Sequence, residues 1–306
     1  MKVLIVGGSG MIGGNTALHL QELGHDVTLA ARNPAKAGTL MAAMPIIFGD
    51  YTRQEFTKAD LAPFEAIVFA AGNDIRHASP DEQTAEFWRA AQSEGVPAFA
   101  ELARDAGVKR FIQLGSYYHQ LRPDLLEGSP YLQARQLADD RARALATDDF
   151  NICTLNPPSI VGALPGLIAA RYETLAAWGQ GLRRDIPNTA PPGGTNYMSV
   201  RSLTQAVAGA LDHAKTGKAY LVGDENLSFR EFFQLFFDVA NNPVEIVTVD
   251  EEHPLLPDAF IVQGRGNSLV YEPTPKETEA LGYKRKDIKN AVREVISLIS
   301  SAKQKS

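Results

Sequence analysis

The sequence predicts an α/β protein, a doubly wound parallel sheet with a smaller, discontinuous C-terminal domain. Three observations carry this. From Lys2 to about Asn156 short β-branched runs alternate with longer helical patterns, several of the runs are apolar without alternation, and the first ends in a glycine cluster that opens a helix. Strands alternating with helices imply parallel strands joined by crossovers. Runs that are apolar throughout imply a sheet covered on both faces.

Taken in order, Val3–Val6 is the first strand, Asn15–Leu23 the first helix and Val27–Ala31 the second strand. A third strand precedes Phe48-Gly49-Asp50, and Ala66–Ala71 is the fourth. Helical patterns over Glu82–Glu94 and Phe99–Ala106 lead to a fifth strand, Phe111–Leu114, then a helix over Tyr131–Leu145 and a sixth strand, Ile152–Leu155. Beyond Pro157, the breakers Pro157-Pro158, Pro165-Gly166, Pro187 and Pro191-Pro192-Gly193-Gly194 divide the chain into loops and short helices. The expected division is a sheet domain of residues 1–160, rejoined by 197–222, and a smaller domain of 161–196 and 223–299. Tyr197–Leu211 and Ala219–Val222 supply the return, Phe229–Ala240 is an amphipathic helix of the smaller domain, and Asp287–Ile299 is the last helix. Residues 300–306 are expected to be a frayed tail.

With 306 residues, 30 Lys and Arg against 36 Asp and Glu, and a net charge of −6, the chain has no basic surplus to hold a polyanion. Nucleic acid is not expected as a partner. The single cysteine, Cys153, cannot form an internal disulfide, and six scattered His without CxxC or HxxxH spacing give no metal site. No stretch approaches the roughly 20 apolar residues of a bilayer span, and the apolar run after Lys2 stops at glycines as a buried strand does, not a signal peptide. The sequence therefore reads as a cytoplasmic protein.

Val3–Val6 runs into Gly7-Gly8-Ser9-Gly10-Met11-Ile12-Gly13, which makes a strand, a glycine turn and a helix. Such a turn lets the backbone approach a pyrophosphate, and the helix N-terminus offers free N–H groups to it. Gly7, Ser9, Gly10, Met11, Ile12 and Gly13 are thus candidate dinucleotide contacts. Both Gly8-x-Gly10-x-x-Gly13 and Gly7-x-x-Gly10-x-x-Gly13 are readable here. The second strand ends in Ala30-Ala31-Arg32-Asn33, without the acid that usually binds a ribose 2′-hydroxyl. Arg32, with Asn33 beside it and Lys36 a turn later, suits a 2′-phosphate, which points to NADP in preference to NAD. Asp50 faces either the adenine amino group or its own turn. Ala70-Ala71-Gly72 are small enough for a cofactor ribose to pass close to the backbone.

The fifth strand ends in Gly115-Ser116-Tyr117-Tyr118, and Ser129-Pro130-Tyr131 follows. Ser129 as N-cap and Pro130 at the first helical position put Tyr131 in an opening turn. Arg135, at i+4, shares its face. A Tyr beside a cation is a credible general acid/base, and a Ser hydroxyl can hold a carbonyl oxygen. The alternative is a half-buried Tyr packing on its own helix.

These residues resemble the extended short-chain dehydrogenase/reductase superfamily, in its NAD-dependent epimerase/dehydratase branch. Gly7, Gly10 and Gly13 match its glycine turn, Ala70-Ala71-Gly72 its fourth-strand motif, and Ser116 and Tyr131 its catalytic pair. Asn156-Pro157-Pro158-Ser159-Ile160-Val161-Gly162 resembles its segment after the sixth strand, Asn196–Val200 the segment that returns to the sheet, and Leu281-Gly282-Tyr283 its C-terminal signature. The resemblance implies a Rossmann domain, hydride transfer at a carbinol or carbonyl, and Pro157 and Ser159 near the cofactor. It also implies that a homodimer, if the chain is not a monomer, forms through helices here spanning Glu86–Ala106 and Tyr131–Leu145. Two departures stand out. Arg135 replaces the family's Lys, keeping the charge but unable to relay a proton, and Asn156 replaces an Arg.

For the small-molecule substrate, Arg76, His77, Tyr117, His119, Asn156, Tyr172, Trp178, Asn196 and Tyr197 are candidate contacts, each equally readable as core or interface. Arg171, Arg183 and Arg184 are the cations available to a second pyrophosphate. The aromatic content of this region leads to an NADP-dependent carbonyl reductase or alcohol dehydrogenase as the first reading. A nucleotide-sugar epimerase or dehydratase with retained cofactor is the alternative, and Arg135 motivates a third, a non-catalytic NADP(H) sensor.

Overall fold

The described residues form thirteen strands: β1 Lys2–Val6, β2 Asp26–Ala31, β3 Ile46–Phe48, β4 Ala66–Phe69, β5 Arg110–Leu114, β6 Asn151–Asn156, β7 Ser159–Val161, β8 Thr189–Ala190, β9 Gly194–Ser199, β10 Ala219–Leu221, β11 Glu225–Ser228, β12 Val247–Thr248 and β13 Ser268–Leu269. They come from a computed structural model that describes residues 1–72, 74, 75, 81 and 83–303. The chain divides into two units, one of Met1–Pro157, Leu203–Val222 and Thr274–Tyr283, the other of Pro158–Ser202, Gly223–Pro273 and Lys284 onward.

The first unit holds a seven-stranded sheet in the order β10-β6-β5-β4-β1-β2-β3, with every neighbouring pair parallel. From β1 the chain moves to β2 and β3 on one side and to β4, β5 and β6 on the other, so the order reverses between β1 and β4. In such a sheet the carboxyl ends of those two strands border the crevice where ligands bind. One face is closed by Val96, Phe99, Ala100 and Ala103 of the helix Gly95–Asp105 and by Ala138 and Ala142 of the helix Pro130–Arg143, packed on Leu4, Ile67, Phe69, Phe111 and Ile152.

In the second unit β9 pairs antiparallel with β11 and parallel with β7 and β13. Its core is built on the helix Phe229–Val239, which opens with a Ser228/Glu231 capping box and buries Phe229, Phe232, Phe233, Phe236 and Phe237. That i, i+3, i+4, i+7, i+8 spacing is one helical face. Trp178, Val292, Val295 and Ile299 belong to the same cluster.

The structure departs from the expected elements at several places. The first helix is Met11–Glu22, beginning directly at the glycine turn. The expected helix over Glu82–Glu94 is a short helix, Ala85–Trp88, that widens into a π-type turn over Arg89–Ser93. Gly194–Ser199 forms a strand of the second unit's sheet, and the return to the first unit is made by Leu203–Val222. Thr274–Tyr283 also belongs to the first unit, where the backbone of Leu281 lies against Gly209, so close that a Cβ there would stand 2.0 Å from the Leu281 carbonyl oxygen. The last helix, Ile288–Lys303, continues through Ser300, where a frayed tail was expected. Among the described residues no helix is long and apolar enough to cross a membrane.

Candidate functional site

The glycine turn follows β1. Gly7 has φ +81°, and a Cβ on it would stand 2.8 Å from the Ala71 amide nitrogen just past β4. A Cβ on Gly13 would stand 2.3 Å from the Gly7 carbonyl oxygen, whereas the nearest atom to one on Gly10 is 3.4 Å away. Gly7 has the left-handed φ, and backbone crowds Gly8 as well, whose Cβ would stand 2.9 Å from the Ile5 carbonyl oxygen, so the packing suits either glycine register. Gly10 is the N-cap of the helix Met11–Glu22, which has no side-chain cap and no acidic residue in its first turn. Unfilled N–H groups and a backbone cradle that side chains would fill suit a dinucleotide pyrophosphate. Ser9, Met11 and Ile12 lie half-buried in this turn.

At the ends of the next two strands, Arg32, Asn33 and Lys36 are exposed. The Arg32 guanidinium stands 4.0 Å from the Asp50 carboxylate. Asp50 caps its own turn, its Oδ1 accepting from the Thr52 amide at 2.9 Å and the Thr52 hydroxyl at 2.7 Å. Of the two readings of Asp50, the turn residue is thus the one the local geometry accounts for.

The chemical end is carried by the helix Pro130–Arg143, which Ser129 caps through the Leu132 amide. Tyr131 is buried, its ring 4.8 Å from that of Trp88, and its hydroxyl donates to Asp74 at 3.3 Å. One turn on, Arg135 Nη2 donates to the Gly115 carbonyl, and Nη1 stands 3.1 Å from where a Gly72 Cβ would lie. Arg135 thus bridges the residues following β4 and β5. Ser116, next to Gly115, is buried.

Below it, Asp139 and His119 form a buried pair, Nε2 donating to Oδ2 at 2.8 Å. Asp139 also accepts from Arg143 Nε at 2.6 Å and Asn156 Nδ2 at 3.1 Å. Burial raises the affinity of the Asp139 carboxyl for its proton, but the hydrogen bonds from His119 and Arg143 outweigh it and hold the group well below the usual carboxylate range. Asp74, Asp139 and Arg143 are neighbours of Tyr131 and Arg135 that motif reasoning passed over. The signal for Asp139 and Arg143 is the i+4 ladder Tyr131, Arg135, Asp139, Arg143 on one helix.

Several substrate candidates prove to be interior residues. His119 is occupied by Asp139, and Asn156 is fully buried, donating to Gln120 at 2.9 Å as well as to Asp139. Tyr117 is buried, its ring 4.3 Å from that of Tyr118. In the second unit Tyr197 stacks on Phe232 with centroids 4.1 Å apart. Tyr172 donates to the Ile160 carbonyl at 2.7 Å, Trp178 to Asn188 at 3.1 Å and Asn196 to Asn226 at 2.8 Å. The aromatic content that favoured a weakly charged carbonyl substrate is therefore core packing. Pro157 is buried at the end of the first unit's leading segment, and Ser159 lies half-buried on β7 in the second. Arg76 and His77 lie outside the described residues. Arg183 is paired with Asp185, Arg184 is exposed, and the Nε of half-buried Arg171 has no hydrogen-bond partner among the described residues. Among the described residues no group of His, Cys, Asp and Glu has the arrangement of a metal site.

The model of the NAD dependent epimerase/dehydratase family matches residues 3–223. No curated protein matches the chain in sequence. Its fold is similar to that of UDP-glucose-4-epimerase from Stenotrophomonas maltophila with bound NAD, at 18% identity over 100% of both chains, with a TM-score of 0.79. UDP-N-acetylglucosamine 4-epimerase from Bacillus cereus is similar at 13% identity over 98% of this chain and 96% of that one, with a TM-score of 0.73. UDP-glucuronic acid 4-epimerase from the same organism, in complex with NAD, is similar at 12% identity over 99% of both chains, with a TM-score of 0.70.

Proposed function

The chain belongs to the NAD-dependent epimerase/dehydratase family, and on that premise we propose that it is a nucleotide-sugar epimerase that keeps its nicotinamide cofactor bound through turnover. One observation carries the reading. A continuous run of close contacts joins the cofactor turn to the acid/base helix: Gly7 against Ala71, Gly72 against Arg135, and Arg135 on Gly115 beside Ser116. The pyrophosphate turn and the polar groups suited to carbinol chemistry thus share one edge of one sheet.

In this reading Gly7, Gly10, Gly13 and the amides of Met11 and Ile12 hold the pyrophosphate, and Ala70, Ala71 and Gly72 leave room beside it. A bound nicotinamide supplies a hydride acceptor that is also the donor. Tyr131 takes the proton of the sugar hydroxyl and gives it back, and Ser116 holds the oxygen between those events. Arg135 acts as a fixed charge, because a guanidinium does not lose its proton in this range. The proton count closes on Tyr131 alone. Arg32 and Lys36 in place of an acid favour the cofactor with a 2′-phosphate, NADP.

The test is incubation of the purified protein with UDP-glucose, UDP-N-acetylglucosamine and UDP-glucuronic acid, with the sugar configuration followed by NMR and the nicotinamide by absorbance at 340 nm. The expected result is an epimer formed with no net change in nicotinamide redox state, reduced about 100-fold or more in Tyr131→Phe. Oxidation of NADPH in proportion to an added ketone or aldehyde would replace this reading with the reductase.

A further inference from the structure

The loop that carries Ser116 is fastened to the helix that carries Tyr131 at two points one helical turn apart. Arg135 holds the carbonyl of Gly115, the residue before Ser116. Asp139 holds the ring of His119, three residues after it, at 2.8 Å. Both side chains of the second fastening are buried, with 5% of His119 and 1% of Asp139 exposed. Water therefore competes little for it. The carboxylate is held in turn by Arg143 at 2.6 Å and Asn156 at 3.1 Å. Asn156 also holds Gln120, the residue after His119, at 2.9 Å, which ties the far end of the loop to β6. At the near end a Cβ on Gly115 would stand 1.9 Å from Asn156 Oδ1, so the loop starts in contact with the same strand.

We propose that His119 and Asp139 are positioning residues, which fix the Ser116 hydroxyl relative to the Tyr131 phenol and take no part in proton transfer themselves. The assignment rests on the roles given above to Ser116 and Tyr131. Because Tyr131, Arg135 and Asp139 are successive rungs of one helix, any shift of the loop against the helix changes the Ser–Tyr geometry directly. Displacement of a catalytic group by about 1 Å commonly costs about 100-fold in rate. Ser129 and Pro130 set where the helix starts; the His119 pair sets where the loop sits upon it.

The experiment compares wild type with His119→Ala and with His119→Gln, whose amide nitrogen reaches the place of Nε2. Amide hydrogen exchange over residues 115–121, the Kd for the nicotinamide dinucleotide, and kcat and KM for the nucleotide sugar are measured on each. In His119→Ala, exchange in 115–121 is expected to accelerate about tenfold and kcat to fall about 100-fold, with Kd and KM within about threefold of wild type. His119→Gln is expected to recover at least about tenfold of the lost kcat. A folded His119→Ala with unchanged kcat overturns the proposal, and so does a loss confined to KM, which would make His119 a substrate contact. If His119→Ala does not fold, His119→Gln is compared with His119→Asn, whose shorter amide falls short of Asp139, and equal kcat overturns the proposal. If the wild type turns over no nucleotide sugar, the reading of the function fails, and the exchange rates of 115–121 alone decide whether the fastening exists.

Discussion

Gly13 and Gly7 are in contact across the start of the first helix, close enough that a Cβ on Gly13 would lie 2.3 Å from the Gly7 carbonyl oxygen. The obstacle is backbone, which cannot rotate away as a side chain can. Gly13→Ala is expected to push the helix from β1, with an overpacking cost of about 1–3 kcal/mol and loss of dinucleotide binding. Gly10→Ala meets nothing nearer than 3.4 Å and is expected to fold normally. Thermal unfolding and a dinucleotide titration of the two variants check the contrast.

Arg32 is mostly exposed, its Nη1 4.0 Å from Asp50, and stands where a ribose-binding acid is common. NADPH is expected to bind more tightly than NADH, and Arg32→Ala to lower that ratio about tenfold, equivalent to roughly 1.4 kcal/mol. Because the site is open to solvent, the preference is expected to shrink as salt rises. Kd values for both nucleotides at two ionic strengths measure it, and an unchanged ratio in Arg32→Ala would remove the residue from cofactor choice.

Asp139 has a folded-state pKa held below its unfolded value: burial works the other way, but the hydrogen bonds from His119 and Arg143 outweigh it. A depressed carboxyl contributes stability that is fully present above the unfolded value near pH 4 and is lost as pH falls towards the folded one. Asp139→Asn is expected to cost roughly 3–5 kcal/mol at pH 7, as breaking a buried ion pair does, and less as the pH falls below 4. Urea midpoints of both proteins between pH 3 and pH 7 show whether the curves converge.

Cys153, fully buried on β6, has its thiol pushed up to about 12 by burial. Thiolate, not thiol, is the nucleophile. At pH 8 the folded protein is expected to leave a disulfide reagent such as DTNB unreacted over hours, and to react with one equivalent once unfolded. Rapid labelling of the native protein would show that β6 opens readily.

The sequence by itself determined the parts of this protein that depend on neighbours along the chain. The strand, glycine turn and helix from Val3 to Leu20, the capped start of the helix at Ser129 and the Tyr131–Arg135 pair are all set by spacing, because turns, caps and helical faces are local. The contact of Gly7 with Ala71, a residue just past β4, is by contrast invisible in that spacing. Tertiary structure alone decided which polar and aromatic residues face inward. His119, Asn156 and Tyr197 have the side chains of a binding site, yet Asp139, Gln120 and Phe232 claim them. Burial is settled by what packs from far along the chain, and a hydrogen-bond donor in the interior is taken by whichever distant acceptor the fold brings to it.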